Sequence, residues 1–70
     1  MPRSMIALNG PRLRRLRENL GLSQVEAAME IGISRSMLSA LETGSRRASP
    51  KIARMVANRH GLEIKQIRRG

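Results

Sequence analysis

The sequence predicts an all-α fold, a compact bundle of four to five short helices. Three observations predict it. Apolar residues recur three and four apart in each longer segment, the spacing of one helix face. Ser, Asn or Pro stands where these segments start and Gly where they stop, the usual placement of helix caps. Beyond a short apolar run at Met5–Leu8, no stretch has the pattern of a strand.

Residues 1–9 read as an N-terminal arm, with Met5, Ile6, Ala7 and Leu8 able to pack or pair as a short extended segment and Pro2 and Arg3 expected to be mobile. Asn9-Gly10-Pro11 opens the first helix, since Pro is tolerated in a first turn and Asn or Gly can cap it. Leu13, Leu16 and Leu20 give its apolar face, Gly21 ends it, and Leu22 can close its C-terminal hydrophobic contact. Ser23 and Glu26 have the spacing of a capping box, S-x-x-E, for a second helix. Ala27, Ala28 and Ile31 line that helix, and Gly32 stops it. Ser34 can cap a third helix with Leu38 and Leu41 facing inward and Gly44 at its end.

A tight turn at Gly32 must fold the third helix across the second. Such a turn needs a residue tolerant of positive φ and a small residue where the axes approach, which Ala28 supplies one turn earlier. This is the physical signature of a helix-turn-helix, whose second helix can enter a DNA major groove. Residues 43–49 form a polar turn carrying Arg46 and Arg47. Ser49-Pro50 then starts a fourth helix lined by Ile52, Met55 and Val56 and ended by Gly61. Leu62, Ile64 and Ile67 suggest a short fifth helix at about 63–67, and 68–70 reads as a solvated basic tail. The organisation is thus an arm at 1–9, one domain at 10–67 and the tail.

Seventy residues make one domain, and a core this small rarely supplies more than about 3–5 kcal/mol without staples. There is no cysteine, hence no disulfide and no thiolate metal site. No apolar run approaches the ~18 residues of a membrane span, and Met1–Leu8 is too short and too broken by Arg3 and Ser4 for a signal peptide. The absence of Phe, Tyr and Trp leaves an aliphatic core and argues against single-strand binders and common RNA modules, which stack bases on aromatic rings. Fourteen Lys and Arg against five acids give a net charge of +9, which implies a polyanionic partner. Twelve of the cations are Arg, the better residue for bidentate phosphate or guanine contacts.

Catalysis is unsupported. There is no Asp, Cys or Tyr, the five Glu are scattered, and the one His, His60, is expected to pack or meet the helix dipole beside Gly61. An interface or pH-sensitive role is its alternative. A binding face is better supported. A rotation of about 100° per residue puts Ser36, Ser39, Ala40 and Thr43 opposite Leu38 and Leu41, with the long Arg35 at the flank. Arg35 can fork onto guanine O6 and N7 or contact a phosphate. Ser36 and Ser39 can hydrogen-bond or simply let the backbone approach, and Ala40 can meet a thymine methyl. Arg46 and Arg47, with the backbone N–H groups of residues 43–45, are expected to clamp phosphates, with Thr43 and Ser45 among the contacting residues. Gln24 opens the second helix, where free N–H groups favour an anion. Arg12, Arg14 and Arg15 read as a solvated face or a flanking phosphate contact. Leu62, Ile64 and Ile67 exceed what a terminal helix needs to dock and are the expected dimer interface, with Met5–Leu8 as the alternative.

The chain resembles the phage-repressor (Cro/repressor, XRE) family. The matching residues are Leu13, Leu16-Arg17, Gly21-Leu22-Ser23-Gln24, Ala28, Gly32-Ile33-Ser34, Leu38, Leu41-Glu42, Gly44, Ser49-Pro50 and Gly61-Leu62, spread over residues 12–67. The resemblance implies a lambda-repressor-like fold and proteins that read operator DNA as two-fold dimers, mostly to regulate transcription. It implies base contacts by Arg35, Ser36, Ser39 and Ala40, a phosphate contact by Gln24, and a buried ion pair between Arg17 and Glu42. Three departures stand out: Ala27 where the family carries a larger aliphatic residue, His60 where it has Leu, and apolar Val25 and Met29 where it is usually charged. The expected function is a cytoplasmic, sequence-specific double-stranded DNA-binding transcriptional regulator, a homodimer on a palindromic operator, with no cofactor and no catalysis. The competing readings are a protein-interaction subunit that binds a toxin or polymerase through Val25 and Met29, and a nonspecific architectural DNA binder.

Overall fold

Five helices follow one another along the chain: α1 (Gly10–Asn19), α2 (Gln24–Ile31), α3 (Arg35–Thr43), α4 (Pro50–Arg59) and the single turn α5 (Ile64–Ile67). They are seen in a computed structural model that describes residues 4–70. Pro2 and Arg3, expected to be mobile, lie outside the described residues. Among the described residues no helix is long and apolar enough to cross a membrane.

Each of α1 to α4 starts on a side chain that satisfies an otherwise orphaned backbone donor. Asn9 Oδ1 accepts from the Arg12 N–H at 3.1 Å, and the hydroxyls of Ser34 and Ser49 accept from Met37 and Ile52 at 3.0 and 3.2 Å. Ser23 and Glu26 form the reciprocal capping box: Ser23 Oγ accepts from the Glu26 N–H, and Glu26 Oε1 accepts from the Ser23 N–H at 2.9 Å. Hydrogen bonding from Ser23, its backbone N–H first and then its side chain, holds the Glu26 carboxyl below its ordinary pKa. At α5 the Gln66 side chain reaches back instead, its Oε1 accepting from the Glu63 N–H at 2.9 Å.

The turn between α2 and α3 pivots on Gly32, at φ 96°. Its N–H and that of Ile33 both donate to the Ala28 carbonyl, at 2.8 and 3.0 Å. Ala28 is buried where α2 packs on α3. The core is aliphatic and rich in small residues: Leu8, Leu13, Ala27, Ala28, Ile31, Leu38, Leu41, Ala48, Ala53, Val56, Ala57 and Ile67 are buried. α4 therefore faces inward through Ala53, Val56 and Ala57, with the expected Ile52 and Met55 only half-buried at its margin.

Three expectations need correction. Leu20, assigned to the apolar face of α1, is 49% exposed. It is the C-cap residue, one position past the last full turn, and α1 buries Leu13 and half-buries Leu16 instead. The tail is not simply solvated: the Arg69 N–H donates to the Ala7 carbonyl at 2.7 Å, and Leu8 and Arg68 form an antiparallel bridge. The partner of the tail is the arm, which pairs as its apolar run allowed. Ile6 exchanges two backbone hydrogen bonds with Ala48, at 2.7 and 2.8 Å, and Leu8 is buried. Finally, Ile67 is fully buried inside the chain, so it offers no surface to a second subunit.

Candidate nucleic-acid interface

The outward face of α3 is built by default. Leu38 and Leu41 are held in the core, which turns Arg35 and Ser36 to solvent and leaves Ser39 and Ala40 half-buried on the open side. Ser34 caps the helix through its own hydroxyl, so Arg35 stands at the first, solvent-facing position of α3. A side chain there is aimed where the N-terminal residues of a recognition helix meet base edges.

α3 is locked to α1 and α2 by one charged cluster. Arg17 Nε donates to Glu42 Oε2 at 2.7 Å, and Nη2 donates to Glu42 Oε1 at 3.1 Å. Its remaining Nη1 donates to the Leu22 carbonyl at 2.9 Å. Only 12% of the Arg17 side chain and 4% of the Glu42 side chain stay exposed. The Glu42 hydrogen bonds hold the Arg17 guanidinium above its ordinary pKa, against the opposing effect of burial. The Gln24 amide also donates to Glu42 Oε1, at 3.1 Å. Gln24 is therefore tied to the end of α3 while standing at the first position of α2. A cleft of about 380 Å³ lined by Arg14, Arg17, Gln24, Glu42 and Thr43 opens beside it.

The expected phosphate clamp divides into engaged and free groups. The N–H groups of Gly44 and Ser45 both donate to the Ala40 carbonyl, closing the end of α3. Those two donors are thus already used, contrary to expectation. Thr43 and Ser45 keep their hydroxyls on the surface, 3.1 Å apart and each within reach of the same carbonyl. Arg46 and Arg47 are exposed and, among the described residues, form no salt bridge.

The distribution of acids sharpens this. Glu42 is spent on Arg17, Glu18 on Arg14, Glu30 on Arg59, Glu63 on Lys65, and Glu26 caps α2. No acid is left beside Arg35, Arg46 or Arg47, so their field is uncompensated.

Away from this face, Leu62 and Ile64 are half-buried against the core, while Ile67 is wholly inside it. His60 caps α4 half-buried, and desolvation, then the neighbouring Arg59 charge, lowers its pKa. Val25 and Met29 project from the outer side of α2, 49% and 75% exposed. Among the described residues no group of acidic, His or Cys side chains could hold a metal ion.

One supporting residue escaped sequence reasoning. Gly10 is buried with its α-carbon against the last turn of α3: a methyl group there would lie 2.1 Å from the Glu42 carbonyl oxygen. Only its place in the first turn of α1, beside a Pro, hinted at anything, and that hint concerned capping.

Comparison with known proteins agrees with the geometry. No curated protein sequence matches the chain. Among solved structures it is similar to the restriction-modification controller protein C.AhdI from Aeromonas hydrophila, 35% identical over 81% of this chain and 86% of that one, with a TM-score of 0.74. It is also similar to the clp gene regulator ClgR from Corynebacterium glutamicum, 28% identical over 81% and 74% of the two chains, TM-score 0.69. The fold recurs in SinR, the master regulator for biofilm formation, solved in complex with DNA, at 24% identity over 80% and 90% and a TM-score of 0.72. A helix-turn-helix family model matches residues 13–67, from the first core leucine of α1 to the last buried residue of α5, and the chain belongs to that family, the XRE-type helix-turn-helix proteins.

Proposed function

We propose that this chain is a sequence-specific double-stranded DNA-binding transcriptional regulator that inserts α3 into the major groove. The observation that carries the reading is the open α3 face, exposed Arg35 and Ser36 with half-buried Ser39 and Ala40, followed by exposed Arg46 and Arg47, with every Glu engaged elsewhere. Arg35, Ser36, Ser39 and Ala40 read base edges. Gln24, Thr43, Ser45, Arg46 and Arg47 hold phosphates, Thr43 and Ser45 through their hydroxyls. Arg17 and Glu42 fix α3 against α1. Likeness to C.AhdI and ClgR supports a regulatory role. A restriction-modification controller, a phage-type switch and a toxin-linked antitoxin all suit it.

The chain acts as a homodimer on a palindromic operator. Two recognition helices on one face of DNA must sit about 34 Å apart, or a multiple of it. With Ile67 withdrawn, Leu62 and Ile64 are the remaining C-terminal candidates for that contact. A protein-interaction role competes, and the exposure of Val25 and Met29 favours it.

Selection of bound duplexes from a random pool at fixed salt, followed by variants, tests the reading. Arg35→Ala should cost about 1–3 kcal/mol on the selected site and little on scrambled DNA. Arg46→Ala should weaken both alike and reduce the log–log salt slope by about 0.9. Equal weakening of both DNAs by Arg35→Ala would remove its base-reading role. Enrichment of no sequence would favour the architectural binder, and no retained DNA at all the protein-interaction subunit.

A further inference from the structure

Arg69 lies outside the stretch that the family model matches and, by sequence, belongs to a solvated tail. The structure gives it a fixed place. Its backbone N–H donates to the Ala7 carbonyl at 2.7 Å, and Arg68 beside it bridges to Leu8. Leu8 is buried, and the preceding Ile6 is doubly bonded to Ala48 at the end of the turn that carries Arg46 and Arg47. The arm therefore splints the C-terminal segment to the turn after α3. As a result the Arg69 guanidinium reaches the end of α3: its Nη2 lies 3.8 Å from where a methyl group on Gly44 would stand. Arg69 is exposed and forms no salt bridge among the described residues.

We propose that Arg69 is a third arm of the phosphate clamp, extending Arg46 and Arg47 along the DNA backbone from the far end of the sequence. The inference rests on the DNA-binding reading above. Arg69 then reaches the start of the turn that carries Arg46 and Arg47, none of the three is in a salt bridge among the described residues, and a duplex phosphate is the anion such arginines meet when α3 is in the groove. The backbone pairing matters because an arginine on a free tail must be ordered on binding, at an entropic cost that a pre-positioned one avoids.

The test is a salt titration of binding to a selected duplex and to a scrambled one, with wild type, Arg69→Ala and Arg69→Lys, alongside thermal melts. The pairing uses the Arg69 backbone, so both variants keep it. The expected result is a slope lowered by about 0.9 for Arg69→Ala on both duplexes, so that the wild-type advantage shrinks about 3.5-fold between 50 and 200 mM salt. Arg69→Lys, which keeps the charge, should restore the slope. An unchanged slope for Arg69→Ala overturns the proposal alone. A lowered melting temperature with an unchanged slope also overturns it and leaves Arg69 as a cation on the C-terminal dipole of α3. Failure of the wild type to bind either duplex overturns this proposal together with the reading beneath it.

Discussion

Replacing Glu42 by Ala tests how α3 is held. The carboxylate accepts two hydrogen bonds from Arg17 and one from Gln24. Without it, Arg17 keeps only its bond to the Leu22 carbonyl, and the Gln24 amide loses its acceptor. Breaking a buried pair from one side costs about 3–5 kcal/mol, because the surviving charge stays desolvated. The adjoining cleft of about 380 Å³ lets water approach Arg17, which places the cost at the lower end, near 3 kcal/mol. For a domain of this size each kcal/mol moves the midpoint by about 4–8 °C, so the melt should fall by about 12–24 °C. A core this small supplies only about 3–5 kcal/mol in total, so a large unfolded fraction is expected even at room temperature. Far-UV circular dichroism is the assay, since the chain has no aromatic residue to report by fluorescence. The double variant Arg17→Met with Glu42→Leu should recover most of the loss, as apolar replacements of buried pairs do. A drop under about 1 kcal/mol for Glu42→Ala, the value of an exposed ion pair, would refute the reasoning.

Gly10→Ala should destabilise by about 1–3 kcal/mol or more, because the new methyl meets the Glu42 carbonyl and backbone cannot swing aside as a side chain can; wild-type denaturant unfolding would show that α1 and α3 do not approach so closely. Ile67→Ala should cost about 2–5 kcal/mol irrespective of protein concentration; a cost that disappears on dilution would return Ile67 to a subunit interface. The pKa of His60 is lower in the folded chain than its ordinary value of 6.5, so the unfolded state binds more protons between the two values. Stability is then full above about pH 6.5 and falls as the pH drops towards the folded value. His60→Gln should flatten melting temperature against pH just below about 6.5; an unaltered slope would reject that assignment.

Local chemistry was legible and distant pairing was not. Ser23, Glu26, Gly32 and Ser34 act within three or four residues of themselves, so their spacing alone foretold the capping box and the turn. The inward positions Ala28, Leu38 and Leu41 followed from the helical period. The pairing of Ile6 with Ala48 and of Ala7 with Arg69 had no such signal: each involves one or two residues, too few for alternation to show, and backbone groups carry no residue identity. Ile67 misled for a related reason. Leu62, Ile64 and Ile67 looked surplus because they pack into a core that includes residues far back in the chain, with Leu8 paired beside Ile67. On the binding face, helical rotation was enough to place Arg35 and Ser36 outward. That Ala40 would absorb the N–H groups of Gly44 and Ser45 depended on how α3 terminates.

Five of the twelve buried apolar residues are alanines: Ala27, Ala28, Ala48, Ala53 and Ala57. An alanine has no rotamers to freeze and almost nothing to truncate. The spectrum of harmful mutations is thereby inverted relative to a leucine-rich interior. Truncation hurts at a handful of sites, whereas enlargement hurts at many, forcing helices apart at about 1–3 kcal/mol each. Ala28 is one of these, buried on α2 one turn before the pivot at Gly32. A Val there is such an enlargement, beside the turn that sets α3, and on the proposed DNA-binding reading it would disturb the binding face without replacing any residue of it.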